Sequence, residues 1–144
     1  MSALAHVTPP GSAPPYKDLF SNATIVPSGA KLAFISSQWA CDSEGNLIEG
    51  GKGDYKAQAK KTWENIMIIL KGLGCGMKDV AFKKNCFVEF SDDIAKVCIE
   101  GALEAIGPEE AEYFFKSANS YGGYAHFHKP DVLFMVDIVV ALPN

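Results

Sequence analysis

The sequence predicts one α+β domain, in which two long helices cover one face of a sheet of about five strands in the order β-β-α-β-α-β-β. Two segments, 54–73 and 92–106, carry apolar residues at the spacing of amphipathic helices. A third segment, 132–142, is almost continuously apolar, which is typical of a strand buried on both faces. The length of 144 residues fits a single domain.

The N-terminal part is predicted to be a tail followed by a hairpin. Four prolines and a glycine interrupt regular structure near the start of the chain, so we expect residues 1–18 to be a flexible tail and residues 19–144 to form the domain. Segments 19–26 and 31–39 favour strands, and the Pro-Ser-Gly turn between them predicts that they pair as a hairpin.

Two side chains are placed to cap the helices. Asp54 precedes the first helix and Ser91 precedes the second, and both residue types accept hydrogen bonds from the free amides of a helix N-terminus. Segment 80–90 between the helices is a predicted strand. Pro108 is expected to start a short third helix.

The last two predicted strands are where we expect the functional site. A turn at 129–131 joins 117–124 to 132–142, so we expect the two strands to be antiparallel neighbours. Two helices cover only one face of the sheet, yet both faces of the last strand are apolar. Another copy of the chain is the simplest cover, which predicts a closed homo-oligomer with its pocket between subunits. Asp137 in this strand needs a partner or a wet cleft.

The composition of the chain limits the classes of partner that it is expected to bind. The chain is 48% hydrophobic and 21% charged, and its net charge of −4 comes without a basic stripe, which argues against nucleic acid as a partner. No window is long enough for a membrane span, and no secretory signal is recognisable. Four cysteines without paired spacing indicate reduced thiols, so we expect a cytoplasmic protein.

No cofactor or metal is expected. His126 and His128 lie two residues apart on one strand face and could share a metal ion. The sequence offers no evident third ligand, so ordinary surface or interface histidines are the favoured interpretation.

Four short motifs resemble those of one known family. Residues 34–38 (FISSQ) are similar to its F-V-S-G-Q strand, Gln58 and Asn65 to its Q-x6-N-I helix, residues 70–80 to its L-x-x-x-G-x-x-x-x-D-V turn, and residues 130–140 to P-D-V-L-V-E-I-D-x-I-A. The family is the Rid, or YjgF-like, family, named for reactive intermediate/imine deaminase. The resemblance implies a chorismate-mutase-like fold, a homotrimer, and small-molecule clefts between subunits.

The resemblance also implies that the family's catalytic residues are replaced. Asn119 stands at the position of the arginine that clamps the carboxylate of a 2-imino acid, and Met135 at the position of the glutamate that helps to position water. Further replacements place Cys98 at a cleft asparagine, Phe20 at a tyrosine, Ser37 at a glycine and Tyr121 at a cysteine or threonine. The changes run toward neutral and larger side chains, so the pocket should hold a more apolar, less anionic ligand.

We therefore expect one inter-subunit cleft with two groups of residues. The candidate catalytic residues are Asn119, Cys98 and Asp137, and the candidate substrate-binding residues are Phe20, Ser37, Gln38, Tyr121 and Met135. Each has a structural alternative. Asn119 could satisfy strand-end amides, Cys98 and Met135 could fill the core, and Asp137 could pair with a lysine across the trimer.

Three functions remain open at this point. The first is an enzyme that hydrolyses, tautomerises or cyclises an imine- or enamine-like metabolite, with an oxyanion or water held near Ser37 and Asn119. The second is a non-catalytic trimer that binds a small ligand or a protein. The third is a conventional imine deaminase, which the loss of both the arginine and the glutamate disfavours.

Overall fold

The computed structural model describes residues 3–144 and contains six strands and three α-helices in that part of the chain. Two single 3₁₀ turns, Tyr16–Asp18 and Met77–Asp79, complete the regular structure. The elements are β1 (Ala5–Val7), β2 (Ala23–Ile25), β3 (Leu32–Gln38), α1 (Tyr55–Gly72), β4 (Val80–Val88), α2 (Asp92–Ile106), α3 (Pro108–Phe114), β5 (Ala118–Tyr124) and β6 (Phe134–Ala141).

The main sheet has four strands in the order β3-β6-β4-β5. The last strand in sequence, β6, is central and runs antiparallel to both β3 and β4, whereas β5 runs parallel to β4. The strands β1 and β2 form a separate antiparallel ribbon. The predicted α+β class with helices against the sheet is confirmed.

The predicted start of the fold is wrong in two respects. The sequence predicted an irregular tail up to residue 18, but Ala5–Val7 forms β1. This segment precedes the prolines, and a proline interrupts regular structure only near its own position. The predicted hairpin does not form, because β2 pairs with β1 and leaves β3 to pair with β6. The long Pro-rich connection is anchored by Asn22, whose side chain donates to Ala13 O at 2.6 Å.

The predicted pairing of the last two strands is also wrong. The strand β4 lies between β5 and β6, so every residue of β5 is two strands away from β6. The connection of residues 125–133 passes over the end of β4, where Val88 N donates to Leu133 O at 2.9 Å. A tight hairpin would need only about two to five connecting residues.

The predicted caps are confirmed. Asp54 accepts a hydrogen bond from Ala57 N at 2.9 Å, and Ser91 accepts one from Ile94 N at 3.2 Å. One polar residue of α1, Gln58, then ties the helix to the loops. Gln58 is fully buried and its amide bonds Gly51 O, Asp131 O and Leu133 N, each at 2.9 Å.

The helices α1 and α2 pack together and bury one face of the sheet, which we call the helix side. Alternate residues of β6 point into this layer and are at most 1% exposed: Phe134, Val136, Ile138 and Val140. The opposite face, which we call the open face, carries Phe34 (76% exposed), Phe82 and Tyr124. Within residues 3–144, no helix is long and apolar enough to cross a membrane.

The close approach of α1 and α2 depends on Gly101. A Cβ atom added there would lie 2.5 Å from the carbonyl oxygen of Lys56, which is closer than side chains pack. We expect Gly101→Ala to lower the free energy of unfolding by about 1–3 kcal/mol, because the two helices must separate.

Gly72 in α1 provides the matched control, since an added Cβ atom would meet nothing within 4 Å. Gly72→Ala should be neutral or stabilising by up to about 1 kcal/mol, as helix propensity dictates. Urea unfolding of both variants measures the difference. Equal effects of the two substitutions would contradict the proposed helix contact.

Candidate functional site

A row of polar side chains crosses the middle of the open face. In the sheet register Lys84 of β4 lies opposite Asp137 of β6 on one side and opposite Ser120 of β5 on the other. Ser37 at the end of β3 donates a hydrogen bond from its hydroxyl to Asp137 Oδ1. Directly opposed side chains lie about 5 Å apart on one face of a sheet. The row Ser37–Asp137–Lys84–Ser120 therefore forms one polar patch, which we call the polar row.

Less polar residues flank the polar row. In the next register position, Cys86 of β4 lies opposite Met135 of β6 on one side and opposite Gly122 of β5 on the other. Lys84 Nζ lies 5.5 Å from the centroid of the Tyr124 ring. Interaction with Tyr124 is the largest of the effects that raise the pKa of Lys84, and Asp137 adds to it, so the ammonium is charged at neutral pH.

The predicted site residues divide between the two faces of the sheet. Ser37, Met135 and Asp137 lie on the open face, as their register and the Ser37–Asp137 hydrogen bond require. Asn119 and Tyr121 lie on the helix side, because they oppose Lys83 and Asn85 of β4. The expected juxtaposition of Asn119 with Met135 does not occur within one protomer.

The remaining predicted residues lie in or near the helix side. Phe20 packs against Tyr121 with ring centroids 6.3 Å apart. Cys98 of α2 is 3% exposed, and burial raises the pKa of its thiol to about 12, which opposes a thiolate nucleophile. Gln38 bonds the backbone through its Nε2, which donates to Ser36 O at 2.9 Å. The packing alternative for Cys98 is thus the better supported one.

Sequence reasoning missed three residues. Lys83 and Lys84 stand side by side in an apolar strand, and strand alternation must send one to each face of the sheet. That pattern was a readable signal for two buried or half-buried cations. Ser120 was missed because Asn119 was assigned to the arginine position, although Ser120 is the β5 residue that belongs to the polar row.

The helix side contains a second polar cluster around Lys83. This lysine is 2% exposed, donates to Ser117 Oγ at 3.0 Å, and lies 5.1 Å from the centroid of Phe114. Burial lowers its pKa to about 7. Among residues 3–144, no acidic side chain lies within ion-pair distance of it. Asn85 Nδ2 donates to Asn119 Oδ1 at 2.7 Å beside it.

The two predicted metal-ligand candidates lie on the surface. His126 and His128 are exposed, and the His128 ring packs edge-on against Trp39 at 5.0 Å. In the described part of the chain, no group of three histidine, cysteine or carboxylate residues is placed to hold a metal ion.

Comparison with known proteins places this arrangement in a known fold. No protein-family model and no curated protein matches the sequence. The structural neighbours are proteins of the Rid family, so the chain has the Rid fold. A Rid-family protein of unknown function, YyfB from Yersinia pestis, superposes with a TM-score of 0.78 at 23% identity, covering 96% of this chain and 98% of that one.

Two further structures are similar over nearly the whole chain. RidA from an Antarctic Psychrobacter is 25% identical, with a TM-score of 0.60 and 92% coverage of both chains. A Thermotoga maritima protein whose name proposes an endoribonuclease is 20% identical, with a TM-score of 0.61, covering 96% of this chain and 94% of that one. The likeness establishes the architecture and leaves the chemistry to the side chains.

The buried Lys83 predicts a specific pH dependence of stability. Its folded pKa of about 7 lies below the ordinary value of 10.5, so only the folded protein loses this proton between those values. The cost of burying the ammonium is therefore full below the folded pKa and is relieved as the pH rises toward the unfolded pKa. Lys83→Met should raise the free energy of unfolding by about 1–4 kcal/mol near neutral pH.

The gain from Lys83→Met should shrink in alkaline buffer, where the wild-type lysine is already neutral. Urea unfolding at a pH below the folded pKa of about 7 and again about two units above it measures the change. Lys52→Met, at an exposed lysine, is the control and should change stability little at either pH. A gain that is equal at both values would contradict the burial of a charged Lys83.

Proposed function

We propose that this chain is a divergent Rid-family protein that assembles as a homotrimer and acts on a small imine- or enamine-like metabolite at the open face. The observation that carries the proposal is the polar row, a lysine, a carboxylate and two hydroxyls set into an otherwise apolar sheet face. Once another subunit covers this face, a cluster of that kind needs a polar partner or a polar ligand.

A second copy of the chain is the cover that fits the open face. Phe34 is 76% exposed on β3, and Val139, Phe82 and Ala118 continue the same apolar line across the sheet. Exposed aromatic side chains on an ordered strand favour association between subunits. The trimeric state is part of the proposal and is supported by the Rid fold together with this apolar line.

The polar row supplies the groups that imine chemistry needs. Hydrolysis, tautomerisation and cyclisation of an imine or enamine each require a proton to move between neighbouring atoms, which a carboxylate such as Asp137 can mediate. The Lys84 ammonium stabilises negative charge that develops on a ligand oxygen or on attacking water. Ser37, which bonds Asp137, orients that carboxylate.

The same groups argue against a standard 2-imino acid deaminase. The sequence contains no arginine, so no guanidinium can clamp a substrate carboxylate in two parallel hydrogen bonds. The charge of Lys84 is offset by Asp137 opposite it. Met135 offers no carboxylate beside them. A neutral imine or enamine therefore suits the polar row better than an anionic one.

A non-catalytic ligand-binding trimer is the alternative. It is favoured by the hydrogen bond that Ser37 donates to Asp137, because a carboxylate that is already hydrogen-bonded can be purely structural. An endoribonuclease, as the name of the Thermotoga maritima neighbour proposes for that protein, suits this chain less, since its net charge is −4.

The oligomeric state tests the cover of the open face. Light scattering at low micromolar concentration should give about three times the chain mass of 15.5 kDa. Phe34→Asp should reduce the mass toward the monomer, because it places a charge in the apolar line of the interface.

Ile68→Asp is the matched control, since Ile68 is 68% exposed on the outer surface of α1 and lies outside the open face. It should leave the mass unchanged. A monomeric wild-type protein would remove the subunit-boundary part of the proposal.

Substrate charge tests the chemistry. Ammonia release should be negligible with 2-aminoacrylate and faster by at least about ten-fold with its uncharged methyl ester, because the sequence contains no arginine to clamp the carboxylate. Asp137→Asn should lower turnover of the ester by about 10²–10⁴-fold if the carboxylate moves the proton.

Glu49→Gln, at an exposed loop residue, is the control and should leave turnover unchanged. Faster release from the free acid would show that the anionic substrate is preferred and would overturn the assignment. Full activity of Asp137→Asn would show that Asp137 does not move the proton.

A further inference from the structure

Tyr124 of β5 extends over the open face beside the polar row. It lies two residues after Gly122, so the two residues face the same side of the sheet. A Cβ atom added at Gly122 would lie 3.1 Å from Cε2 of the Tyr124 ring and 3.6 Å from its hydroxyl oxygen. The ring therefore folds back along its own strand, and its hydroxyl lies over Gly122.

This conformation brings the Tyr124 hydroxyl toward Lys84. Gly122 is the open-face residue next to Ser120 on β5, and Ser120 lies opposite Lys84. Lys84 Nζ is 5.5 Å from the centroid of the Tyr124 ring. Interaction with Tyr124 has the largest effect on the pKa of Lys84, which it raises. A neighbouring ammonium stabilises the phenolate that forms when a tyrosine gives up its proton.

The Tyr124 ring is held in place and stays accessible to a ligand. It packs against Phe127 with ring centroids 5.5 Å apart, and the missing side chain of Gly122 leaves the space that it occupies. Tyr124 is 37% exposed, so it does not serve to fill the core of this protomer. A small ligand over the polar row would meet three groups that exchange protons, which are Asp137, Lys84 and Tyr124.

The order of the strands separates these three groups in a useful way. Conversion of an enamine to an imine removes a proton from nitrogen and adds one to a carbon two atoms away, so the acceptor and the donor must be different groups. Asp137 lies on β6 and Tyr124 on β5, with Lys84 on β4 between them. Lys84 is therefore placed to exchange protons with both.

We propose that Tyr124 is a further catalytic residue of the polar row, whose hydroxyl protonates the carbon of a neutral enamine and converts it to the imine. This inference rests on the proposed function and selects tautomerisation as its reaction.

The step moves one proton from nitrogen to carbon. The Tyr124 hydroxyl gives its proton to the β-carbon of the enamine, and the C=C π pair forms the new C–H bond. The nitrogen lone pair forms the C=N bond, and the N–H proton passes to the Asp137 carboxylate, which leaves its bonding pair on nitrogen. The Lys84 ammonium then gives a proton to the Tyr124 phenolate and takes one from Asp137, so every side chain is restored.

Removal of one oxygen atom tests the proposal. Tautomerisation of the methyl ester of 2-aminoacrylate by the full chain is followed as loss of the enamine's ultraviolet absorbance, corrected for the rate in buffer alone. Tyr124→Phe keeps the ring and should lower kcat by about 10²–10⁴-fold with little change in KM. Equal kcat for Tyr124→Phe and an active wild-type protein would overturn this inference and leave the proposed function standing. A wild-type protein that does not act on the ester would overturn both.

Two adjacent glycines form a matched pair that tests the position of the hydroxyl. Gly122→Ala places a methyl group where the Tyr124 ring lies, so it should lower kcat at least about ten-fold. Gly123→Ala adds a Cβ atom whose nearest neighbour is Phe90 Cβ at 3.5 Å, an ordinary contact, and should leave kcat unchanged. Equal kcat in the two variants would refute the placement of the hydroxyl over Gly122.

The double variant separates displacement of the hydroxyl from damage elsewhere. In a Tyr124→Phe background no hydroxyl remains to be displaced, so adding Gly122→Ala should lower kcat by less than about three-fold. A further loss as large as that of Gly122→Ala alone would show that the methyl group acts on other groups, and would contradict the proposed role of Tyr124.

Discussion

The alternation of side chains along the two central strands is the constraint on which the rest of this structure depends. Strands β4 and β6 are hydrogen-bonded along their length, so each residue pair has one defined face. One face is sealed by α1 and α2 and must be filled with side chains of complementary volume. The other face is free to carry chemistry. A shift of one residue in either strand would exchange the two sets.

This constraint explains why adjacent lysines have opposite properties. Lys83 and Lys84 differ by one position in β4, yet the first is sealed under the helices and the second lies in a polar row beside a carboxylate. Burial lowers the pKa of Lys83, and the Tyr124 side chain together with nearby charges raises that of Lys84. Identical residue types thus acquire different chemistry from their environments alone.

The sequence alone predicts the elements whose formation depends on residues that are close together in the chain. Asp54, Ser91 and Pro108 mark helix starts because capping and proline geometry act within one turn. Strand pairing depends on distant residues, so it was not readable in the same way. The sequence could not show that β4 lies between β5 and β6, and the face of Asn119 was therefore misjudged. The open-face positions of Met135 and Asp137 follow from alternation along β6, which the sequence does predict, whereas the face of Ser37 is set by a register irregularity between Ile35 and Gln38 that the sequence does not show.

The position of β6 has a consequence for synthesis of the chain. Its residues, 134–141, are the centre of the sheet, and both of its partners are made earlier, β3 about a hundred residues before. A nascent chain that has completed β3 and β4 therefore holds two strand edges that cannot meet until residue 141 has left the ribosome. Contacts of such long sequence separation form slowly, and unpaired edges are prone to aggregate. The apolar partners of β6 are thus a natural target for chaperones during translation.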